Sequence, residues 1–220
     1  MEKRTDPRRM ELTAKLAFKR VYPFIAQYAV HKYHITAGLC LDIGSGPGSL
    51  AIAMAKITSL SVVALDVSHD MMKIARTNFA NKQFSRQIVP IVADVHEMPY
   101  PDDMFDLIVS RGSIFFWNDR ARAFKEIFRV LKPGGVAFCG GGMGSDEILR
   151  EANSIIMTND ALKDFREVWL ERTKGIDRNE DETQFRNDLE NADIEGTLVR
   201  DCKGVWVEIA KPRTGNKHSS

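Results

Sequence analysis

Cysteine is scarce in this 220-residue chain, at three residues: Cys40, Cys139 and Cys202. Three thiols make no disulfide framework. Cys40 and Cys139 lie in apolar runs and read as small core residues. No His/Cys cluster has the spacing of a zinc site, so no metal is expected. An excess of one charge is also missing. The formal net charge is +1, which gives no strong nucleic-acid signal. Two basic ends, "KRTDPRR" and "KPRTGNKHSS", read as solvated tails. No apolar run reaches the roughly 18 residues of a membrane span, and the first residues lack the apolar centre of a signal peptide. No membrane partner is expected, and the cytoplasm is the expected compartment. Oligomeric state is left open.

What is present is a repeated alternation. "LCLDI", "SVVALDV", "IVPIVAD", "FDLIVSRG" and "GGVAFCG" are short, nearly continuous apolar runs. Between most of them stand segments of helical periodicity, such as "SLAIAMAKI" and "DRARAFKEIFRVLK". Buried strands alternating with helices imply a parallel sheet covered on both faces, with right-handed crossovers. "GTLVRD" and "VWVEIAK" around a Lys-Gly turn read as an antiparallel hairpin, and "PGG" at 133–135 reads as a turn. The expected fold is therefore α/β, a Rossmann-like doubly wound, mostly parallel seven-stranded sheet whose last strand is antiparallel. Glu11 to Tyr33 reads as helix, with a break expected at Pro23. The expected domains are an N-terminal helical cap over 1–38, a main domain over 39–211 with a helical insertion at about 146–175, and a frayed tail over 212–220.

The first strand runs into "LDIGSGPGSL", residues 41–50. A bare glycine loop between strand and helix allows close backbone approach by a ligand. In open α/β sheets, ligands bind beyond the carboxyl ends of the strands. Asp42 lies at that end, and Asp66 closes the second strand, where a carboxylate can accept from ribose hydroxyls. The dinucleotide fingerprint would need glycine at Ser49, and no Walker A ending is present. Asp42 would repel a pyrophosphate and attract an ammonium group.

The chain here resembles the class I S-adenosylmethionine-dependent methyltransferases. The resemblance rests on "LDIGSGPGSLAIAMAK", "VVALDVSHDMMKIA", "ADVHEMPYPDDMFDLIVSRGSIFFW" and "AFKEIFRVLKPGGVAF", in that order over about Leu39 to Gly142. It extends to an archaeal and anaerobe group without an assigned substrate. S-adenosylmethionine is the implied cofactor and S-adenosylhomocysteine the product. The resemblance implies that Asp42 holds the methionine ammonium, while Gly44, Ser45, Gly46 and Gly48 admit the methionine portion. It implies that Asp66 takes the ribose hydroxyls, and that Val67 and Met71 pack on the adenine. Asp94 would accept from the adenine amino group, and the Val95 N–H would meet a ring nitrogen. Ser110 and Arg111 would lie by the methionine portion, near the methyl.

Methyl transfer from a sulfonium asks the protein mainly to position and desolvate. No catalytic base can be assigned. His96 reads as a loop histidine, and His31 and His34 as solvated residues at a helix end. "SRGS" at 110–113 lacks the Asn/Asp-Pro-Pro-Tyr pattern used on nucleobase amines, and no Pro-Cys nucleophile is present. Aromatic residues gather in "SIFFWND" and on the N-terminal helix. A small-molecule acceptor is expected, in an enclosed cavity roofed by that helix and the helices after Asp146. Gly140 to Gly142 would leave open backbone near the site. The competing readings are a protein or RNA methyltransferase and a cofactor-binding subunit without activity.

Overall fold

A computed structural model describes residues 6–81, 84–173 and 178–213. Residues 1–5 and 214–220, which hold much of the two basic ends expected to be solvated tails, lie outside the described residues. Seven strands form one sheet: β1 Ala37–Ile43, β2 Ser59–Asp66, β3 Ile88–Val92, β4 Phe105–Arg111, β5 Leu131–Gly141, β6 Thr197–Asp201 and β7 Gly204–Ala210. Their order is β3-β2-β1-β4-β5-β7-β6. The first five are parallel, and β7 runs antiparallel between β5 and β6. The order reverses between β1 and β4, which places a crevice beyond the carboxyl ends of these two strands.

Each face of the sheet has its own core. On one face pack α2 (Val21–Tyr33), α3 (Ser49–Ile57), α4 (His69–Asn81) and α6 (Asp146–Thr158). On the other pack α5 (Arg120–Val130) and α8 (Arg178–Ala192). Alternation along β4 sends Leu107 and Val109 into the first core and Ile108 into the second. The β5–β7 pairing is reinforced by Phe138 and Trp206, whose rings stack 4.2 Å apart.

Three local expectations need correction. The N-terminal helix does not break at Pro23. It divides into α1 (Pro7–Leu16) and α2, with the bend at 17–20. Pro23 stands in the first turn of α2, where a missing N–H leaves nothing unpaired. The hairpin turn is Cys202-Lys203, both at positive φ, not Lys-Gly. Gly204 instead begins β7, because a Cβ there would lie 1.5 Å from the Gly141 carbonyl oxygen. "PGG" at 133–135 is not a turn between elements. It lies within β5 as an irregularity, where Phe105 pairs with Leu131 but Leu107 pairs with Val136.

Candidate functional site

The loop from β1 to α3 holds Gly44, Gly46 and Gly48 at φ of 66°, 55° and 84°, a region that side chains rarely enter. The three are bare for different reasons. A Cβ on Gly44 would lie 2.1 Å from that of Ser113, and one on Gly48 2.2 Å from the Phe79 ring. Around Gly46 there is nothing within 4 Å. Two glycines serve packing, and the middle one borders open space at the mouth of the crevice.

Asp66 ties this loop to the next. One carboxylate oxygen accepts from Gly46 N at 2.9 Å, and the other from Ser68 N at 2.9 Å. Capping of α4 falls to Ser68, whose hydroxyl accepts from Met71 N. Asp66 is thus not the helix cap. It pairs with no basic residue among the described ion pairs, and burial raises its pKa. Val67 follows with 67% of its surface exposed, an apolar residue left uncovered beside the carboxylate.

Asp42 is only 1% exposed. One oxygen accepts from Ala51 N, in the first turn of α3. Burial pushes its pKa up to about 7, and the Asp66 charge adds to the rise. The Ser45 hydroxyl beside it tempers the rise. That hydroxyl makes no hydrogen bond of ordinary geometry and stays buried without a partner. A buried polar group left so is costly unless a ligand completes it.

The remaining expected residues divide. Ser110 is fully buried, and its hydroxyl meets that of Ser113 at 2.6 Å. Ser113 also donates to the Ile43 carbonyl, bracing the start of the glycine loop. Strand alternation turns Arg111 to the opposite face, where Phe18 and Tyr22 hold its guanidinium. Met71 and Val95 are core residues at 7% and 6% exposure. Asp94 is exposed and forms a turn, accepting from the His96 backbone N–H and meeting its Nδ1. Partial burial raises the Asp94 pKa, but these bonds hold it below the usual carboxylate range. His96 accepts from Asp119 N through Nε2, so it joins the loop to the start of α5. His31 and His34 are exposed at the end of α2.

Several of the aromatic residues expected around the acceptor pack on one another. Tyr28 and Tyr33 pack on Phe138, and Phe18 meets Phe165 and Trp169 of α7 (Lys163–Thr173). One surface hollow lies between α1 and α4, and another at the opposite end of the sheet beside Asp106 and Gly134. Gly140 to Gly142 is not open backbone. A Cβ at Gly140 would strike the Val205 carbonyl, one at Gly141 the Phe115 ring, and one at Gly142 the Cys202 carbonyl. The glycine run lets the β6–β7 hairpin and Phe115 close onto β5. Sequence reasoning missed Ser113 and the Phe18–Tyr22 clamp, because both depend on contacts between residues distant in the chain. All three cysteines are buried free thiols. Among the described residues no group of His, Cys, Asp and Glu is placed to hold a metal ion, and no helix is long and apolar enough to cross a membrane.

The donor set fits the implied cofactor. Asp66 keeps lone pairs for hydroxyls, Gly46 leaves clearance, Val67 offers an apolar flank, and Ser45 and Asp42 await a polar complement. The comparisons agree. A family model described as a methyltransferase domain matches residues 41–139. A Methanococcus maripaludis protein, classed as an S-adenosyl-L-methionine-dependent methyltransferase, is 39% identical with a TM-score of 0.83, over 96% of this chain and 94% of that one. A demethylmenaquinone methyltransferase of Chlorobaculum parvum is 36% identical over 98 residues, 44% of this chain and 38% of the relative. A ubiquinone/menaquinone biosynthesis C-methyltransferase of Marinomonas sp. is 30% identical over 112 residues, 50% of this chain and 45% of the relative. The chain thus spans less than half the length of these curated relatives.

Proposed function

We propose that this chain, which belongs to the class I S-adenosyl-L-methionine-dependent methyltransferases, transfers a methyl group to a small-molecule acceptor. When bound, the cofactor would supply a methyl on positive sulfur, with a neutral thioether as the leaving group. The chain's own contribution is to bind and orient. Asp66 takes the ribose hydroxyls while its backbone partners hold it in place. Gly46 admits the methionine portion, with Gly44, Ser45 and Gly48 shaping the loop around it. Asp42 receives the ammonium. Val67 flanks the adenine from its exposed side, and Met71 and Val95 support that wall from the core. Asp94 offers the adenine amino group its second oxygen, which takes part in none of its described bonds. Ser110 acts from behind, by positioning Ser113 under the loop.

The acceptor side is assigned to residues 1–38 as a cap and to the helices after Asp146, within a main domain of 39–211. Neither part lies within the stretch matched by the family model. The relatives named for quinone chemistry are therefore a precedent for a small acceptor, not a guide to its identity. Buried free thiols suit a reducing compartment such as the cytoplasm.

The observation that carries this reading is Asp66 joined to the open side of the glycine loop at Gly46. Titration calorimetry with S-adenosylhomocysteine and with NAD checks the binding, and release of S-adenosylhomocysteine in the presence of candidate acceptors, quinols included, checks transfer. Tighter binding of NAD would sink the reading.

A further inference from the structure

We propose that Arg111 is the seat for a carboxylate on the acceptor, so that the small molecule methylated by this chain is an anion. The inference rests on the methyltransferase reading above and adds the acceptor's charge to it. Arg111 ends β4, on the face that looks toward α2. Its guanidinium carbon lies 4.7 Å from the centre of the Phe18 ring and 5.5 Å from that of Tyr22. These contacts, with a hydrogen bond to the Tyr22 hydroxyl, fix the group in place and still leave N–H groups for other partners. Nε donates to the Gly142 carbonyl at 3.1 Å, and Nη2 to the Met143 sulfur at 3.0 Å. Both partners are neutral, and a thioether is a weak acceptor.

No carboxylate pairs with Arg111 among the described residues. Arg120 and Arg129, on the other side of the sheet, are matched by Asp188 and by Glu126 and Asp102. A partly buried guanidinium without an anion is under-compensated. A carboxylate is its strong complement, through paired charge-assisted bonds. Two observations favour the acceptor over the cofactor as the source of that carboxylate. Phe18, Tyr22, Gly142 and Met143, which hold Arg111, all lie outside the stretch matched by the family model. Arg111 also shares its face of the sheet with Asp42, whose position in β1 pairs with Val109, yet none of its described contacts reaches the glycine loop.

The test uses the full chain and tritium-labelled S-adenosylmethionine. A microbial metabolite extract is separated by ion exchange, before reaction, into anionic, neutral and cationic fractions. Label should pass to the anionic fraction, and its absence there overturns the proposal whatever the other fractions show. With that fraction as substrate, Arg111→Met should lower transfer at least a hundredfold while the affinity for S-adenosylhomocysteine stays within threefold, and Arg111→Lys should recover part of the loss. If cofactor affinity falls in step with transfer, Arg111 holds the cofactor's own carboxylate and the proposal is wrong. Should the unaltered chain bind no S-adenosylhomocysteine, the methyltransferase reading itself fails.

Discussion

At the carboxyl ends of β1 and β2 stand two carboxylates, buried Asp42 and half-buried Asp66, held by backbone N–H groups and paired with no cation among the described ion pairs. At the end of β4 stands a guanidinium, Arg111, held by aromatic rings and paired with no anion among the described residues. The first side is local, built from residues 42–68. The second draws on positions 18, 22, 111, 142 and 143. Arg129, on the other face of the sheet, is by contrast matched by Glu126 and Asp102. Burying a charge without its complement is expensive, so a fold that does it with both signs at one crevice leaves each complement to a ligand. On the proposed reading the cofactor accounts for the carboxylate side and the acceptor for the arginine side.

The largest effect expected on the carboxylate side is that of Asp66→Ala. Charge-assisted bonds to two ribose hydroxyls contribute roughly 1.5 kcal/mol or more each, so S-adenosylhomocysteine should bind at least about a hundredfold more weakly. Calorimetry beside a circular-dichroism spectrum separates lost binding from lost fold. An unchanged dissociation constant would leave Asp66 as a brace between loops and break the comparison.

The carboxylate side was legible in the sequence because its parts follow one another. Apolar runs bounded by glycine and acid marked the ends of β1 and β2, and a mostly parallel sheet of seven strands followed from strand–helix alternation and a closing hairpin. The arginine side was not legible. "SRGS" shows an arginine but not that alternation sends Ser110 and Arg111 to opposite faces of this sheet. "CGGGM" shows glycines but not that Phe115 and the β6–β7 hairpin close on them. The aromatic residues of α2 could be listed, but only the packed structure assigns Tyr22 to Arg111 and Tyr28 and Tyr33 to Phe138. Contacts between distant residues carry no local signature.

The glycine loop permits a sharper division, between bareness kept for packing and bareness kept for a ligand. Gly48→Ala places a methyl against the Phe79 ring at a φ of 84°, so it should destabilise the fold by about 2–3 kcal/mol, through strain and overpacking. Gly46→Ala meets no atom and should cost only about 1 kcal/mol of backbone strain. Its methyl would stand where the cofactor passes, so S-adenosylhomocysteine should bind about tenfold or more weakly to a chain that is still folded. Thermal unfolding and calorimetry on both variants read the two effects. Equal behaviour of the pair would show that the space beside Gly46 is not the cofactor's path.

The smallest effect expected on binding is also the one that runs opposite to stability, and it concerns Asp42. Burial raises its pKa to about 7 in the free protein, against roughly 3.9 in an unfolded chain. Between these values the folded state holds the proton and the unfolded state does not. The contribution to stability is therefore greatest at low pH and falls as pH rises toward 7, by about 1.4 kcal/mol per unit and about 4 kcal/mol at most. Binding runs the other way. An ammonium group needs the ionised carboxylate, which is about a tenth of the population one unit below the pKa and nine tenths one unit above. Affinity for S-adenosylhomocysteine should rise roughly tenfold from pH 6 to pH 8, while the unfolding temperature of the free protein falls relative to Asp42→Asn. The asparagine variant should show neither trend, because it has no proton to lose, and it should bind weakly throughout. A flat affinity profile in the unaltered chain would separate Asp42 from the ammonium and leave it as a buried partner of the Ala51 N–H alone. The positive end of the cofactor would then need another seat in the crevice.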